Sequence, residues 1–251
     1  MTPELHIFKL RDDVGPGWLF DVVRDGSEPF RVVTIRAPED FPVAIACTGV
    51  VVVGRSLANM DPTDRSPLWK AEVAFVRTIV GLGVPYLGIG DGALLLARAM
   101  LGKVSETPTT GTGFREVPLL EAGRADPLLA GRESLPAALW PGRSVLLPER
   151  TTLLAGTEQE PLAFRFLDAA WGILAHPEVT PEAFGDWLDE PDPTGQPVAS
   201  RIDRAAATAE MEKHRDLQRE AACAMMRRFV ARTRKFCHYV PPEIDESTPC
   251  R

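Results

Sequence analysis

The chain has 251 residues, 45% of them hydrophobic, a formal net charge of −7 and four cysteines. That is enough apolar material for a full core without disulfides or metals. The acidic balance argues against a non-specific binder of nucleic acid or of an anionic membrane, because both need cations to meet phosphates. Cys47, Cys223, Cys237 and Cys250 have no metal-ligand spacing, no apolar run reaches membrane-spanning length, and no leader pattern follows Met1. The expectation is a reduced, cytoplasmic chain with no metal and no cofactor.

Short β-rich runs alternate with helical patterns, as in a parallel sheet covered by helices on both faces. Residues 5–10, 31–35 and 50–53 read as the first three strands. Ser66-Pro67 supplies an N-cap with proline at the first helical position; Leu68, Ala71, Phe75 and Ile79 recur at helical spacing until Gly81 and Gly83 stop the helix. Residues 86–89 read as the next strand and 93–101 as a helix. Thr180-Pro181-Glu182 repeats the cap-then-proline signal and opens a short helix through Leu188. The proline- and aspartate-rich stretch 189–197 reads as connecting chain. The organisation expected is a main domain over 1–190, a linker over 191–200, a helical extension over 201–238 and a tail over 239–251.

The segment Val84-Pro85-Tyr86-Leu87-Gly88-Ile89-Gly90-Asp91-Gly92-Ala93-Leu94 reads as a buried strand, a sharp glycine turn and the start of a helix. That context presents a nucleophile. It resembles the elbow of class I glutamine amidotransferases, Gly-Ile-Cys-x-Gly-x-Gln, with Gly90 where the cysteine belongs. Other segments extend the resemblance over most of the chain: residues 112–165 resemble the family's β-rich excursion before the final strand, which the resemblance places at 171–175. Gly54 matches the start of the family's oxyanion loop, residues 121–129 and 163–165 match linking segments, Trp171-Gly172 precedes His176 at the usual distance, and His176-Pro177-Glu178 matches the family's histidine and glutamate. The C-terminal helical region is similar to the tail of stand-alone members related to the glutaminase of GMP synthase. The resemblance implies a flavodoxin-like open, mostly parallel sheet with a C-terminal helical extension, and ligands bound beyond the carboxyl ends of the strands.

At the implied site the departures cluster. The elbow glutamine is Leu94, the Gln-Phe pair before the histidine is Leu174-Ala175, the Trp-His-Gly-Asp segment reads Trp140-Pro141-Gly142-Arg143, and the oxyanion loop continues Arg55-Ser56. Amide hydrolysis in this family needs a thiolate, an imidazole, an orienting carboxylate and oxyanion donors. The resemblance leaves His176 and Glu178 as an acid–base pair, with Asp91 as a further candidate or a residue of its helix start. Gly54, Arg55, Gly90, Leu94, Trp140, Arg143 and Leu174 are the implied ligand-binding set. Arg55 reads either as an anion contact or as a solvated loop arginine. The altered set implies a bulkier, partly apolar small-molecule ligand, such as a biosynthetic intermediate in specialised metabolism, and no glutaminase activity. The alternative is a non-catalytic partner that regulates or supports a biosynthetic enzyme; an ammonia-channelling role is a third reading.

Cys47 reads as a small buried hydrophobe, and His6 and His214 as structural or solvent-facing residues. The Gly88-x-Gly90-x-Gly92 string is one residue too short for a dinucleotide fingerprint. In the expected C-terminal helix, Ala222, Met226, Phe229, Val230, Thr233 and Cys237 make an apolar stripe. That stripe either packs on the chain's own body or forms a homodimer. Arg227, Arg228, Arg232, Arg234 and Lys235 make a basic face, solvated or open to an acidic partner.

Overall fold

The computed structural model describes residues 3–12, 14–54, 66–108, 111–140, 143–190 and 197–237, with 105–108, 143 and 237 as backbone alone. In chain order the first half runs β1 (Glu4–Lys9), α1 (Trp18–Arg24), β2 (Phe30–Thr34), β3 (Cys47–Gly54), α2 (Pro67–Gly81), β4 (Tyr86–Gly90) and α3 (Asp91–Ala99). Then come β5 (Lys103–Pro108), β6 (Gly113–Pro118), α4 (Glu121–Ala125), β7 (Ser134–Leu139), β8 (Arg143–Leu146), β9 (Thr151–Gly156) and β10 (Pro161–Phe166). The chain continues through β11 (Ala170–Ile173), α5 (Pro181–Trp187), α6 (Arg204–Lys213) and α7 (Arg215–Cys237).

Seven strands form one open sheet in the order β2-β1-β3-β4-β11-β10-β9. The pairs from β2 through to β11 are parallel, and β10 and β9 close that edge antiparallel. β3 is buried along its whole length, as befits a strand covered on both faces, and its valines divide by the period-two rule. Val51 and Val53 join Leu5 and Ile7 beneath Leu19 and Val23 of α1 and Ala222, Met226 and Phe229 of α7. Val50 and Val52 face the other way, into Phe75, Val76 and Ile79 of α2 and Leu95 of α3. Each large side chain so buried stabilises the fold by roughly 1.5–3 kcal/mol relative to exposure.

The two cap-then-proline signals work as expected: the Ser66 hydroxyl accepts from the Trp69 amide (3.1 Å) and the Thr180 hydroxyl from the Ala183 amide (3.2 Å). The expected helical region over 201–236 consists of two helices, α6 and α7, which meet at His214. No glycine or proline marks the break. His214 instead lies flat on Phe114 of β6 (centroids 4.1 Å, planes 3° apart), a tertiary contact invisible to local pattern. α1 and β5 were not foreseen, because both sit beside glycines and prolines that read as turn.

The apolar stripe of α7 packs on the chain's own sheet through Ala222, Met226, Phe229 and Val230, with Thr233 also buried. Several arginines of its basic face have local partners. Arg232 sits over the Trp171 ring (5.5 Å), Arg228 donates to the Leu128 carbonyl (3.3 Å), and Arg234 pairs with Glu28. Cys47 is buried at the head of β3, and burial pushes its thiol up to about 12. Residues 191–196 of the expected linker and the whole of the expected tail, 239–251, lie outside the described residues.

Candidate functional site

β3, β4 and β11 are neighbours in the sheet, in register Gly54 to Gly90 and Ile89 to Ile173, so their carboxyl ends converge at one edge. At the end of β4 the backbone turns through φ +59°, ψ −116° at Gly90 and enters α3 directly. Two further glycines let the helix sit this close. A Cβ on Gly88 would strike the Gly92 backbone, and one on Gly92 would strike the carbonyl of Val52. From behind, the Tyr86 hydroxyl donates to the Gly92 carbonyl (2.8 Å).

The apex of this turn is crowded. A Cβ built on Gly90 would overlap the Gly54 carbonyl oxygen and stand 2.5 Å from Cε1 and 3.1 Å from Nε2 of His176. The histidine therefore points its Nε2 edge at the apex. Its other nitrogen, Nδ1, donates to Glu178 Oε1 (2.9 Å). A carboxylate acceptor keeps the proton on Nδ1, which leaves Nε2 as the nitrogen free to take or give a proton. Both side chains are buried, His176 at 3% and Glu178 at 1% exposure. Among the described residues no donor reaches Glu178 Oε2.

Three elements hold this pair. His176 and Ala138 of β7 exchange backbone hydrogen bonds (2.8 and 3.0 Å), which fixes the segment just past β11. The Trp18 amide of α1 donates to the Glu178 carbonyl (2.9 Å), and Gly17, at φ +49°, approaches that carbonyl too closely for any side chain. From α7, the Gln218 amide nitrogen lies 3.1, 3.2 and 3.0 Å from the carbonyls of His176, Pro177 and Val179, with the side chain wholly buried. Trp187 of α5 closes the ring side, edge-on to His176 at 5.0 Å, and Trp140 stands behind Trp187 at 5.5 Å.

The structure thus brings together Gly54, Gly90, Asp91, His176 and Glu178, with Trp140 one aromatic layer behind. Asp91 is the first residue of α3 and is buried against Gly54. The N-cap position belongs to Gly90, so the Asp91 carboxylate serves the positive helix end from inside the first turn. Leu94 and Leu174 pack in the other core, beside α2, rather than with Trp140. Arg55 lies outside the described residues. Arg143 is described by its backbone, which pairs with Pro108 of β5. Gln218, Trp187 and Trp18 were missed. One of them had a readable signal: Gln218 continues the Ala222–Met226–Phe229 stripe by one turn, and a polar residue on a buried stripe needs polar partners.

A second buried polar node ties the β-rich excursion to the sheet. Asp126 Oδ1 accepts from Trp171 Nε1 (3.0 Å) and the Leu128 amide (2.8 Å), and Arg165 stands as its countercharge, Nε to Oδ2 3.0 Å. Trp171 is the second residue of the strand that delivers His176, so this node anchors β11 near its start. Among the described residues no group of three or more His, Cys, Asp and Glu is placed to hold a metal ion, and no helix is long and apolar enough to cross a membrane.

No protein-family model matches the sequence, and no curated protein matches it. Solved structures do. A glutamine amidotransferase from Methylobacillus flagellatus superposes with TM-score 0.75 at 19% identity, covering 92% of this chain and 96% of that one. A glutamine amidotransferase from Thermotoga maritima gives 0.72 at 18% identity, covering 92% and 99%. A putative GMP synthase component from Thermoplasma acidophilum gives 0.58 at 15% identity, covering 94% and 97%. The strand order, the glycine turn between β4 and α3 and these superpositions agree: the chain has the flavodoxin-like fold of class I glutamine amidotransferases.

Proposed function

We propose that this is a glutamine amidotransferase-like protein without glutaminase activity, whose elbow and histidine–glutamate pair serve a different, partly apolar ligand, such as a biosynthetic intermediate. The observation that carries the first half is Gly90. In the amidotransferase reading it occupies the nucleophile's position, offers no attacking atom, and has the Gly54 carbonyl where a side chain would begin. Glutamine hydrolysis through a thioester has no starting point here.

The second half rests on what surrounds the apex. His176 keeps the arrangement a general acid–base needs, one nitrogen held by a carboxylate and the other aimed at the turn. Trp187 and Trp140 supply the apolar wall that small-molecule sites usually have. In this reading His176 exchanges a proton with a ligand or a water at the Gly90 apex, Glu178 keeps the imidazole in register, and no covalent intermediate forms.

One observation favours the alternative of a non-catalytic partner of a biosynthetic enzyme: His176 and Glu178 are both nearly sealed from solvent. Ligand titration followed through the His176 imidazole resonances separates the two. Aromatic carboxylates such as indole-3-acetate are expected to shift the His176 and Trp187 signals while glutamine does not. Signals that stay fixed for every small molecule, in a protein that instead binds an enzyme tightly, would sink the ligand reading.

A further inference from the structure

Two grooves on the surface are lined by charge, and they differ in how that charge is spent. The larger, about 650 Å³, runs between α1 and α7. Its arginines are largely paired already: Arg219 with Asp21 at 2.9 Å, and Arg234 with Glu28. It reads as a helix–helix seam held by ion pairs. The other, about 570 Å³, lies between α2 and the turn from α3 into β5. Lys70, Arg77, Arg98 and Lys103 line it, and among the described residues no carboxylate does; Glu72, the acidic residue of α2, is not part of that lining. Arg77 donates to the Ala99 carbonyl (3.2 Å), and Lys70, Arg98 and Lys103 make no ion pair among the described residues. In a chain of net charge −7, four cations around one groove with no counterion among its described lining residues is a local reversal of sign.

The apolar part of the lining is equally uneven. Trp69 and Val73 form the floor, and Leu101 stands at the rim, 81% exposed and at φ +72°. The turn accounts for the positive φ but not for the residue, since glycine or asparagine adopts that conformation at lower cost. A large aliphatic side chain held exposed on a disfavoured backbone, beside a cluster of cations, has a purpose if something apolar lies against it.

We infer that this groove binds a small molecule carrying a phosphate or diphosphate group on an apolar body, the anion held by Arg98, Lys103 and Lys70 and the body laid between Leu101 and Trp69. The volume is that of an ordinary small-molecule site. The site is separate from the elbow, at the opposite end of α3, and does not depend on the function proposed for His176.

The test is a titration of the isotopically labelled full-length protein with 1-naphthyl phosphate, inorganic phosphate, 1-naphthol and an octaglutamate peptide, read by amide chemical shifts and by calorimetry at low salt. The expected result is shifts at Lys70, Arg98, Leu101 and Lys103, with 1-naphthyl phosphate bound about fivefold or more tightly than either of its halves. Arg98→Glu combined with Lys103→Glu should weaken binding by about tenfold or more, and Leu101→Ser should weaken 1-naphthyl phosphate but not inorganic phosphate. These residues line an exposed groove outside the core, so the variants should melt with the wild type, and the wild-type shift map stands without them. Absence of binding at millimolar ligand, affinity unaltered by the charge reversal, or shifts confined to the His176–Val179 segment would overturn the inference. Binding of octaglutamate in place of 1-naphthyl phosphate would also overturn it, in favour of an acidic protein partner.

Discussion

At Gly90 the chain uses a backbone conformation that costs a side-chain-bearing residue about 1–3 kcal/mol, in a space already filled by the Gly54 carbonyl and the His176 ring. Gly90→Ala should therefore lower stability by roughly 2–5 kcal/mol, strain and overpacking together. Gly81→Ala, at the end of α2 where a Cβ meets nothing within 4 Å, should be neutral or stabilising by up to about 1 kcal/mol. Urea denaturation of the pair checks this; equal stabilities would mean that the apex is looser than described. Cys47 gives a second residue-scale expectation. With its thiol raised from 9.0 to about 12 by burial, its thiolate fraction near neutral pH falls about a thousandfold, so iodoacetamide should label it only after unfolding, as peptide mapping would reveal. His6 gives a third. Burial lowers its pKa below 6.5, against the pull of the Glu4 carbonyl and carboxylate and with a smaller lowering from Arg31. Above 6.5 it is neutral in both states and contributes no slope; as pH falls through that value the unfolded chain takes up the proton first and native stability drops. His6→Gln should flatten the fall in melting temperature between about pH 7 and 5, and an unchanged profile would assign the acid sensitivity elsewhere.

Among the elements, α7 does more than extend the chain. Gln218 meets three carbonyls of the His176–Val179 segment, and its own Oε1 receives no donor among the described residues. Gln218→Leu should cost roughly 1–3 kcal/mol, because the Pro177 and Val179 carbonyls lose this donor, while the His176 carbonyl keeps the Ala138 amide. It should also weaken or shift the downfield Nδ1 proton resonance of His176, which a purely distant destabilisation would leave in place. What the sequence reveals elsewhere divides in the same way between local and tertiary signals. Caps at Ser66 and Thr180, the valine run of β3 and the glycine turn after β4 carry their own instructions within a few residues, and each appears where the sequence places it. The α6–α7 break, set by stacking of His214 on Phe114, depends on residues about a hundred positions apart and left no local mark. The candidate site divides likewise. His176, Glu178 and Gly90 were legible from the family pattern, Gln218 only as a polar interruption of an apolar stripe, and Trp187 not at all.

For the molecule as a whole, one core face joins β1 and β3 to α1 and α7, so the C-terminal helix is part of the body that presents the site. A chain ending before Arg215 loses Ala222, Met225, Met226 and Phe229 from that face and is expected to be insoluble or molten, with weak near-ultraviolet dichroism and no cooperative melt. A cooperative melt in that truncation would show that α7 is an appendage. The fold itself carries many chemistries, and the proposed function turns on a single point, that the site of an amidotransferase is present without its nucleophile. The most direct measurement is ammonia release from glutamine by the purified wild-type protein, by His176→Ala and by Gly90→Cys. The expected result is no release above buffer from the first two, and no ordinary turnover from Gly90→Cys, since the Gly54 carbonyl stands where the new side chain must begin. Release by the wild type that disappears in His176→Ala would contradict it.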